Sequence, residues 1–234
     1  MSQRTLFARP LVACLLGASL LATPAVARKI EIPFDTNDFS TPLTIDNMYW
    51  PLVPGSEYVY KAEGQEGCEV DVFEVTNGVK VINIDGDMID TRIVHDTAYE
   101  DEECEGDLIK VEETYDWFAQ DDDGNIWYFG EETYDCDEEG CELGDGSWEA
   151  GVDGARPGIV MLADPQPGDQ YRQEYYEGFA QDWGRLRREA GGARQSQGSG
   201  CFIQCAQGFD TGVVFRDAVF TEQSGGTVVS FACV

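Results

Sequence analysis

The stretch that decides the fold is CEVDVFEVTNGVKVINIDGDMIDTRIVHDTAY, residues 68–99. In its first nine residues charged and apolar side chains alternate, which is the period of a β-strand with one buried face. Asn77-Gly78 and Asp85-Gly86 are dipeptides that two-residue hairpin turns favour, so we predict a tight turn at each. The stretch therefore predicts three successive antiparallel strands, at residues 68–76, 79–84 and 88–99.

Further strands are predicted on both sides of this stretch, at residues 57–63, 109–119, 126–132 and 170–176. In the second of these, Tyr115 and Trp117 share one face while Thr114 and Asp116 share the other, so we expect a core-facing side and a water-facing side. Helical periodicity competes with the last strand in residues 174–188. We expect a mainly β fold, an antiparallel meander that curls into a sheet or half-barrel, with a short helix near 174–188.

Acidic residues dominate the composition. The chain has 45 Asp and Glu against 15 Lys and Arg, which gives a net charge of −30. A surface this negative repels phosphate backbones and anionic lipid headgroups, so we expect no nucleic-acid partner. The chain contains a single histidine, His95, and this excludes most histidine-based catalysis and histidine-rich metal sites.

The first 27 residues read as a signal peptide. Arg4 and Arg9 precede an apolar run over residues 11–22, and Ala25-Val26-Ala27 suits cleavage before Arg28. The run is too short to span a bilayer. We therefore expect an exported protein, in the periplasm or outside the cell, with no integral membrane segment after signal cleavage.

The chain changes character near residue 185. Residues 28–184 hold nearly all of the acids and form the predicted acidic β domain, whereas 185–234 is close to neutral. Residues 184–199 are rich in Arg, Gly and Gln and read as a linker, and short strands are predicted at 213–215 and 228–231. We interpret 185–234 as an atypical tail, either a linker with short strands or a sequence with an altered reading frame.

Seven cysteines follow the predicted cleavage site. In an exported chain, an even set within one domain indicates disulfides. The acidic domain contains four such candidates, and three pairings are open: Cys68, Cys104, Cys136 and Cys141. No Cys-x-x-Cys pair occurs, which argues against zinc.

The loop Asp121-Asp122-Asp123-Gly124-Asn125 has the composition of a calcium loop. Carboxylate and carbonyl oxygens are the ligands that calcium prefers, and a site could use Asp121, Asp123 and Asn125 with Glu131 from the returning strand. The loop does not fit the EF-hand spacing. The same residues also suit an Asp-Gly hairpin turn whose acids face water.

A catalytic role for His95 finds little support. Asp96 follows it directly, but neighbours in a strand point to opposite faces, so Asp96 is not expected to orient the ring. No Gly-x-Ser-x-Gly motif supplies a nucleophile. Paired carboxylates could still hydrolyse glycosides, although 45 acids leave the choice of pair open.

Several long strings of the chain are unusual in composition: MYWPLVPG at 48–55 with EYVYKAEG at 57–64, DWFAQDDDGNIWYFGEET at 116–133, and GSWEAGVDGARPGIVMLADPQPGDQYRQEYYEG at 146–178. They resemble an uncharacterised family of exported bacterial proteins. The resemblance covers roughly residues 46–184 and implies a secreted or surface β-rich domain without an assigned activity. From Arg185 onward the chain departs from the family pattern.

Together these observations favour an exported, acidic β protein that acts as a non-enzymatic binding or envelope module. Calcium is the one cofactor that the sequence suggests, and the partner is a small ligand or an envelope component. The alternative is a secreted hydrolase that uses carboxylates. Two converging buried carboxylates at catalytic separation would favour the enzyme, and a concave, aromatic-lined sheet would favour binding.

Overall fold

The structure, a computed structural model, describes residues 28–64, 67–101, 104, 106–166, 168–187, 202–206, 215–223 and 226–233. The predicted signal peptide and most of the predicted linker lie outside these residues. A short 3-10 helix spans Thr36–Asp38. The strands are β1 Arg28–Lys29, β2 Glu57–Gly64, β3 Gly67–Ile84, β4 Asp87–Asp101, β5 Ile109–Gln120, β6 Ile126–Asp137, β7 Gly140–Leu143, β8 Trp148–Glu149, β9 Arg156–Met161, β10 Asp169–Arg172, β11 Glu174–Tyr175, β12 Trp183–Arg187, β13 Phe202–Ala206, β14 Phe215–Gln223 and β15 Gly226–Cys233.

Most of these strands form one large sheet in the order β11-β9-β6-β5-β4-β3-β2-β15-β14, with β7 and β8 also paired to β6. From β2 to β6 each strand runs antiparallel to the next one along the chain. A smaller sheet has the order β1-β10-β12-β13. The predicted fold class is confirmed, since the chain is mainly β and its antiparallel sheet curls into a half-barrel.

The predicted turn at Asn77-Gly78 is wrong. Strand β3 continues through it and pairs with β4 on both sides, and Val75 opposite Val94 is followed by Val79 opposite Arg92. The dipeptide is therefore part of a bulge. A type I′ turn needs positive φ at both central residues. Asp85 and Gly86 have φ of 54° and 106°, so the second predicted hairpin is confirmed, whereas neither residue of the first dipeptide has positive φ.

The predicted short helix near 174–188 is also wrong, and the described part of the chain contains no α-helix. Strand β11 occupies the start of this segment, a turn closed by a bridge between Tyr176 and Ala180 follows, and β12 occupies its end. Pairing of β12 with β10 and β13 satisfies the backbone that a helix would have bonded internally. The predicted strand at 170–176 is present as two short strands, β10 and β11.

The two faces of β5 do not divide into a dry and a wet side as predicted. Trp117 and Ala119 are buried, but Thr114 and Asp116 on the other face are buried as well. On that second face Phe118 stacks on Tyr128 with 5.0 Å between ring centroids. The centre of the sheet is therefore covered on both sides, and polar side chains between the aromatic rings lie inside the protein.

Two disulfides hold the acidic domain together. Cys68 is bonded to Cys104 and Cys136 to Cys141, so the four predicted cysteines form two bridges and the pairing is resolved. The first joins the open end of the β3–β4 hairpin to the loop that follows β4, and the second closes the β6–β7 hairpin. Bridges of this kind are typical of oxidising compartments. No helix within the described residues is long and apolar enough to cross a membrane.

Candidate functional site

A bulge at Gly130 shapes the candidate site in the middle of β6. Asp116 pairs with Glu131 and Phe118 pairs with Tyr128, so two residues of β6 stand opposite a single residue of β5. Gly130 has φ of 124°, and a Cβ atom there would lie 2.2 Å from a carbonyl oxygen of β8. Residues three apart in a regular strand face opposite sides, but the bulge puts Tyr128 and Glu131 on the same face.

The Tyr128 hydroxyl links two carboxyl groups on this face. Its oxygen lies 2.6 Å from Oδ1 of Asp116 and 2.7 Å from Oε2 of Glu131. A hydroxyl carries one proton and donates one hydrogen bond, so its second contact must be donated by a carboxyl group that holds a proton. The geometry therefore requires at least one proton on the Asp116–Glu131 pair, unless a cation replaces it.

Asp96 on β4 is the third acid of this group, which we call the acid cluster: Asp96, Asp116, Tyr128 and Glu131. Burial is the main cause that raises the pKa of Asp116 to about 7 and the pKa of Glu131 to about 8. The pKa of Asp96 is also raised well above its usual value, first by burial and then by the charge of Asp116. Near neutral pH the cluster is therefore poised between protonated and ionised states.

Further acids surround the cluster. Burial raises the pKa of Glu174 to about 7 and the pKa of Asp71 to about 6, and it also raises the pKa of Glu112. None of the described basic residues forms a salt bridge with any of these acids or with the cluster. Arg92 lies on the same face but donates to the backbone carbonyls of Thr76 and Gly78. The negative charge of this face thus lacks a described positive partner.

Three polar atoms in and near the cluster are buried without a hydrogen-bond partner in the protein: Asp96 Oδ1, Trp148 Nε1 and Arg92 Nε. Trp148 stands directly opposite Glu131, and its ring packs edge-on against Tyr128 at 5.3 Å. Buried polar atoms are rarely left unbonded. These atoms mark the face as a place where solvent, an ion or a ligand would complete the hydrogen bonding.

The structure does not bring the four predicted calcium ligands together, although two of them, Asp121 and Asn125, are hydrogen-bonded to each other. Asp121 is buried, and its carboxylate accepts hydrogen bonds from the backbone and side-chain nitrogens of Asn125 and from the indole of Trp127, at 2.7–2.8 Å. Asp123 is exposed on the same turn. Glu131 belongs to the acid cluster. The Asp121 carboxylate therefore holds the hairpin turn closed, but it is buried, whereas the turn interpretation expected its acids to face water.

His95 lies on the opposite face of the sheet from Asp96, as the strand period predicts. Its Nε2 is 2.8 Å from Oε1 of Glu113, and its ring stacks on Tyr115 at 4.8 Å between centroids. Lys110 bonds the other oxygen of Glu113 at 2.9 Å. The histidine thus belongs to a charged network on the outer face of β4 and β5.

Only one group of three potential metal ligands among the described residues has all of its ligand atoms within 4.8 Å of one another. It comprises Glu113, Cys136 and Cys141. The two sulfurs are joined in a disulfide, so they are not available as thiolate ligands. The acid cluster in its present conformation offers two converging carboxyl groups, those of Asp116 and Glu131, with Asp96 farther away.

Asp96, Asp116 and Tyr128 are site residues that the sequence does not predict. The alternation in β5 predicts a water-facing position for Asp116, and no feature of the sequence distinguishes it from the other Asp and Glu residues, 45 in total. One signal was present, because a lone glycine inside a strand pattern, as in Tyr128-Phe-Gly-Glu131, indicates a bulge that redirects side chains.

Comparisons with protein-family models, with curated proteins and with solved structures give no match for this chain. No residue role can therefore be transferred from a relative.

Proposed function

We propose that the acidic β domain is an exported binding module, and that it binds a hard divalent cation, calcium in the first instance, at Asp116 and Glu131. The observation that carries the proposal is the convergence of these two carboxyl groups on the Tyr128 hydroxyl, on a face where the described carboxyls have no basic partner. A buried carboxylate needs compensation by a proton or a cation. The cation would replace the shared proton.

The chemistry of the site supports calcium over softer metals. Carboxylate and hydroxyl oxygens are the donors present, and calcium takes six to eight oxygens, with water completing a sparse set. Two converging carboxylates are few ligands, which corresponds to weak binding with a Kd of about 10⁻⁴–10⁻³ M, the range of extracellular modules. An exported setting agrees with the two disulfides.

The proposal places the cation at the acid cluster and not at the 121–125 turn. In the turn, three hydrogen bonds already satisfy the Asp121 carboxylate. In the cluster, by contrast, Asp96 Oδ1 is buried without a hydrogen-bond partner. Of the four residues that the sequence suggested for calcium, the proposal retains Glu131.

A secreted hydrolase is the second candidate function, and the same pair favours it. Asp116 and Glu131 must share a proton, so one carboxyl is an acid while the other is a base. Asp116 Oδ1 lies 2.6 Å and Glu131 Oε2 lies 2.7 Å from Tyr128 Oη, so these two carboxyl oxygens are at most about 5 Å apart. Retaining glycosidases place their two carboxyl groups about 5–5.5 Å apart.

Calorimetric titration with calcium chloride tests the proposal. With pKa values of about 7 and about 8, the pair holds between one and two protons at pH 7, so calcium binding should release at least one proton. The measured heat should therefore vary with the ionisation enthalpy of the buffer. At ten times Kd, calcium should stabilise the fold by about 1.4 kcal/mol, which raises Tm by about 4 °C at fixed ionic strength.

Two matched double variants locate the cation. Asp116→Asn with Glu131→Gln should abolish the calcium-dependent rise in Tm, whereas Asp121→Asn with Asp123→Asn should retain it relative to its own calcium-free Tm. The reverse result would place calcium at the turn and refute the proposed site. An equal rise in sodium chloride of the same ionic strength would mean screening alone. The hydrolase would be favoured if the wild-type protein hydrolyses aryl glycosides, if Glu131→Gln abolishes this hydrolysis, and if the wild-type protein does not bind calcium.

A further inference from the structure

A groove of about 580 Å³ lies apart from the acid cluster, and no cluster residue lines it. Its walls come from residues 30–34, the β3–β4 turn and strands β6, β9, β10 and β11. Four aromatic residues contribute to these walls: Phe34, Trp127, Tyr171 and Tyr175. The Trp127 indole nitrogen donates to Asp121 and its buried ring packs edge-on against Phe34 and Phe39, so these contacts hold this part of the wall in place. The volume is in the usual range for sites that bind small molecules.

Two guanidinium groups also line the groove. Arg156 lies over the Tyr175 ring at 5.0 Å, and Arg172 lies over the same ring at 4.8 Å. Neither forms a salt bridge within the described part of the chain. Arg172 donates one hydrogen bond to Gln181, and its Nε is buried without a partner. In a chain with three acids for every base, two arginines without a carboxylate partner are an unusual concentration of positive charge.

The acids that line the groove do not neutralise these arginines. Glu31 is paired with Lys29. Asp85 is exposed at the tip of the β3–β4 turn and forms no salt bridge with a described base. The unpaired charges along the groove are therefore two guanidinium groups and one carboxylate, a local positive excess on a strongly negative protein.

We infer that this groove binds a small organic anion with a flat apolar part. The anionic group, a carboxylate or a phosphate, would accept hydrogen bonds from Arg156 and Arg172, and the flat part would pack against the aromatic walls. The Tyr175 ring lies against both guanidinium groups and restricts their movement, which lowers the entropy cost of binding an anion. This site is independent of the cation that the acid cluster is proposed to bind.

Titrations monitored by tryptophan fluorescence test the inference on the full chain. The probes are benzoate and phenyl phosphate, with benzyl alcohol as the neutral control. At least one anion should bind about tenfold tighter than benzyl alcohol, and comparison of the two anions tells whether the site prefers carboxylate or phosphate. Raising the sodium chloride concentration should weaken the binding of the anion.

Three single variants provide the controls. Arg156→Gln removes an exposed guanidinium and should weaken binding of the anion about tenfold, whereas Arg185→Gln removes an exposed guanidinium outside the groove and should leave it unchanged. Asp85→Asn removes the opposing charge and should tighten binding about twofold. The inference is wrong if neither anion binds below about 10 mM, if benzyl alcohol binds equally well, or if Arg185→Gln weakens binding as much as Arg156→Gln.

Discussion

Replacement of Glu131 by glutamine should change how the stability of the protein depends on pH. The pKa of Glu131 is raised to about 8 in the folded state, against about 4.3 in an unfolded chain. Its protonated form therefore favours folding fully below pH 4.3, and this contribution is lost as the pH rises toward 8. In Glu131→Gln the amide can donate to the Tyr128 oxygen while the hydroxyl donates to Asp116, so no shared proton is needed.

The magnitude follows from one proton. Between pH 5.5 and 7.0 Glu131 is protonated in the folded protein and ionised in the unfolded chain, so this one proton costs about 1.4 kcal/mol of wild-type stability for each pH unit. The free energy of unfolding of Glu131→Gln, minus that of wild type, should therefore rise by about 2 kcal/mol over this interval. Urea unfolding in EDTA, followed by tryptophan fluorescence, measures the difference.

Glu132→Gln is the matched control, because it removes the same kind of charge from an exposed position on the other face of β6. Its difference from wild type should not change between pH 5.5 and 7.0. If the difference for Glu131→Gln is equally constant, the pair shares no proton and the reasoning from the Tyr128 hydroxyl is refuted.

Three other variants test features of the fold. Gly130→Ala should destabilise the protein by more than about 2 kcal/mol in urea unfolding, because its Cβ would meet a backbone carbonyl at 2.2 Å; Gly86→Ala, with positive φ but open space, should cost only about 1 kcal/mol. Asp121→Ala should lower the free energy of unfolding by roughly 3 kcal/mol, with or without calcium, because three donors lose their acceptor. Replacing Cys68 and Cys104 by serine should cost about 4 kcal/mol, against about 2 kcal/mol for the short-loop bridge.

Each of these variants can contradict its premise. A stable Gly130→Ala would mean that the bulge does not constrain this position. If Asp121→Ala is as stable as wild type without calcium and loses only the stabilisation by calcium, the Asp121 carboxylate is a metal ligand. Equal losses from the two disulfides would show that loop length does not control their effect.

The strands were predictable from sequence because alternation and turn dipeptides are local signals. Asp85-Gly86 and Asn77-Gly78 show the limit of this reasoning. Both dipeptides favour a hairpin turn. At Asn77-Gly78 the continued pairing of β3 with β4 overrides this preference, and no local feature of the sequence indicates that pairing. The mistaken helix near 174–188 has the same cause, because partner strands β10 and β13 decide the conformation of β12.

The acid cluster was beyond prediction for a different reason. Alternation tells which residues of β5 share a face, but not whether that face is covered. An acid in a strand is usually expected to face solvent, which is why Asp116 is predicted to be exposed. Its burial follows from the aromatic rings on the same face, such as Phe118 and Tyr128. Only the bulge at Gly130 brings Tyr128 and Glu131 together, and its position depends on the contact with β8.

The meander from β2 to β6 has a consequence for the order in which the chain folds. Each of these strands pairs with its neighbour in sequence, so the meander itself requires no pairing between strands distant in the sequence and should form faster than a Greek-key arrangement of the same strands. The Asp85-Gly86 turn closes the longest hairpin, and pairing can spread from it toward the end at Cys68. This hairpin is therefore the expected nucleus, and substitutions at its turn should slow refolding more than they speed unfolding.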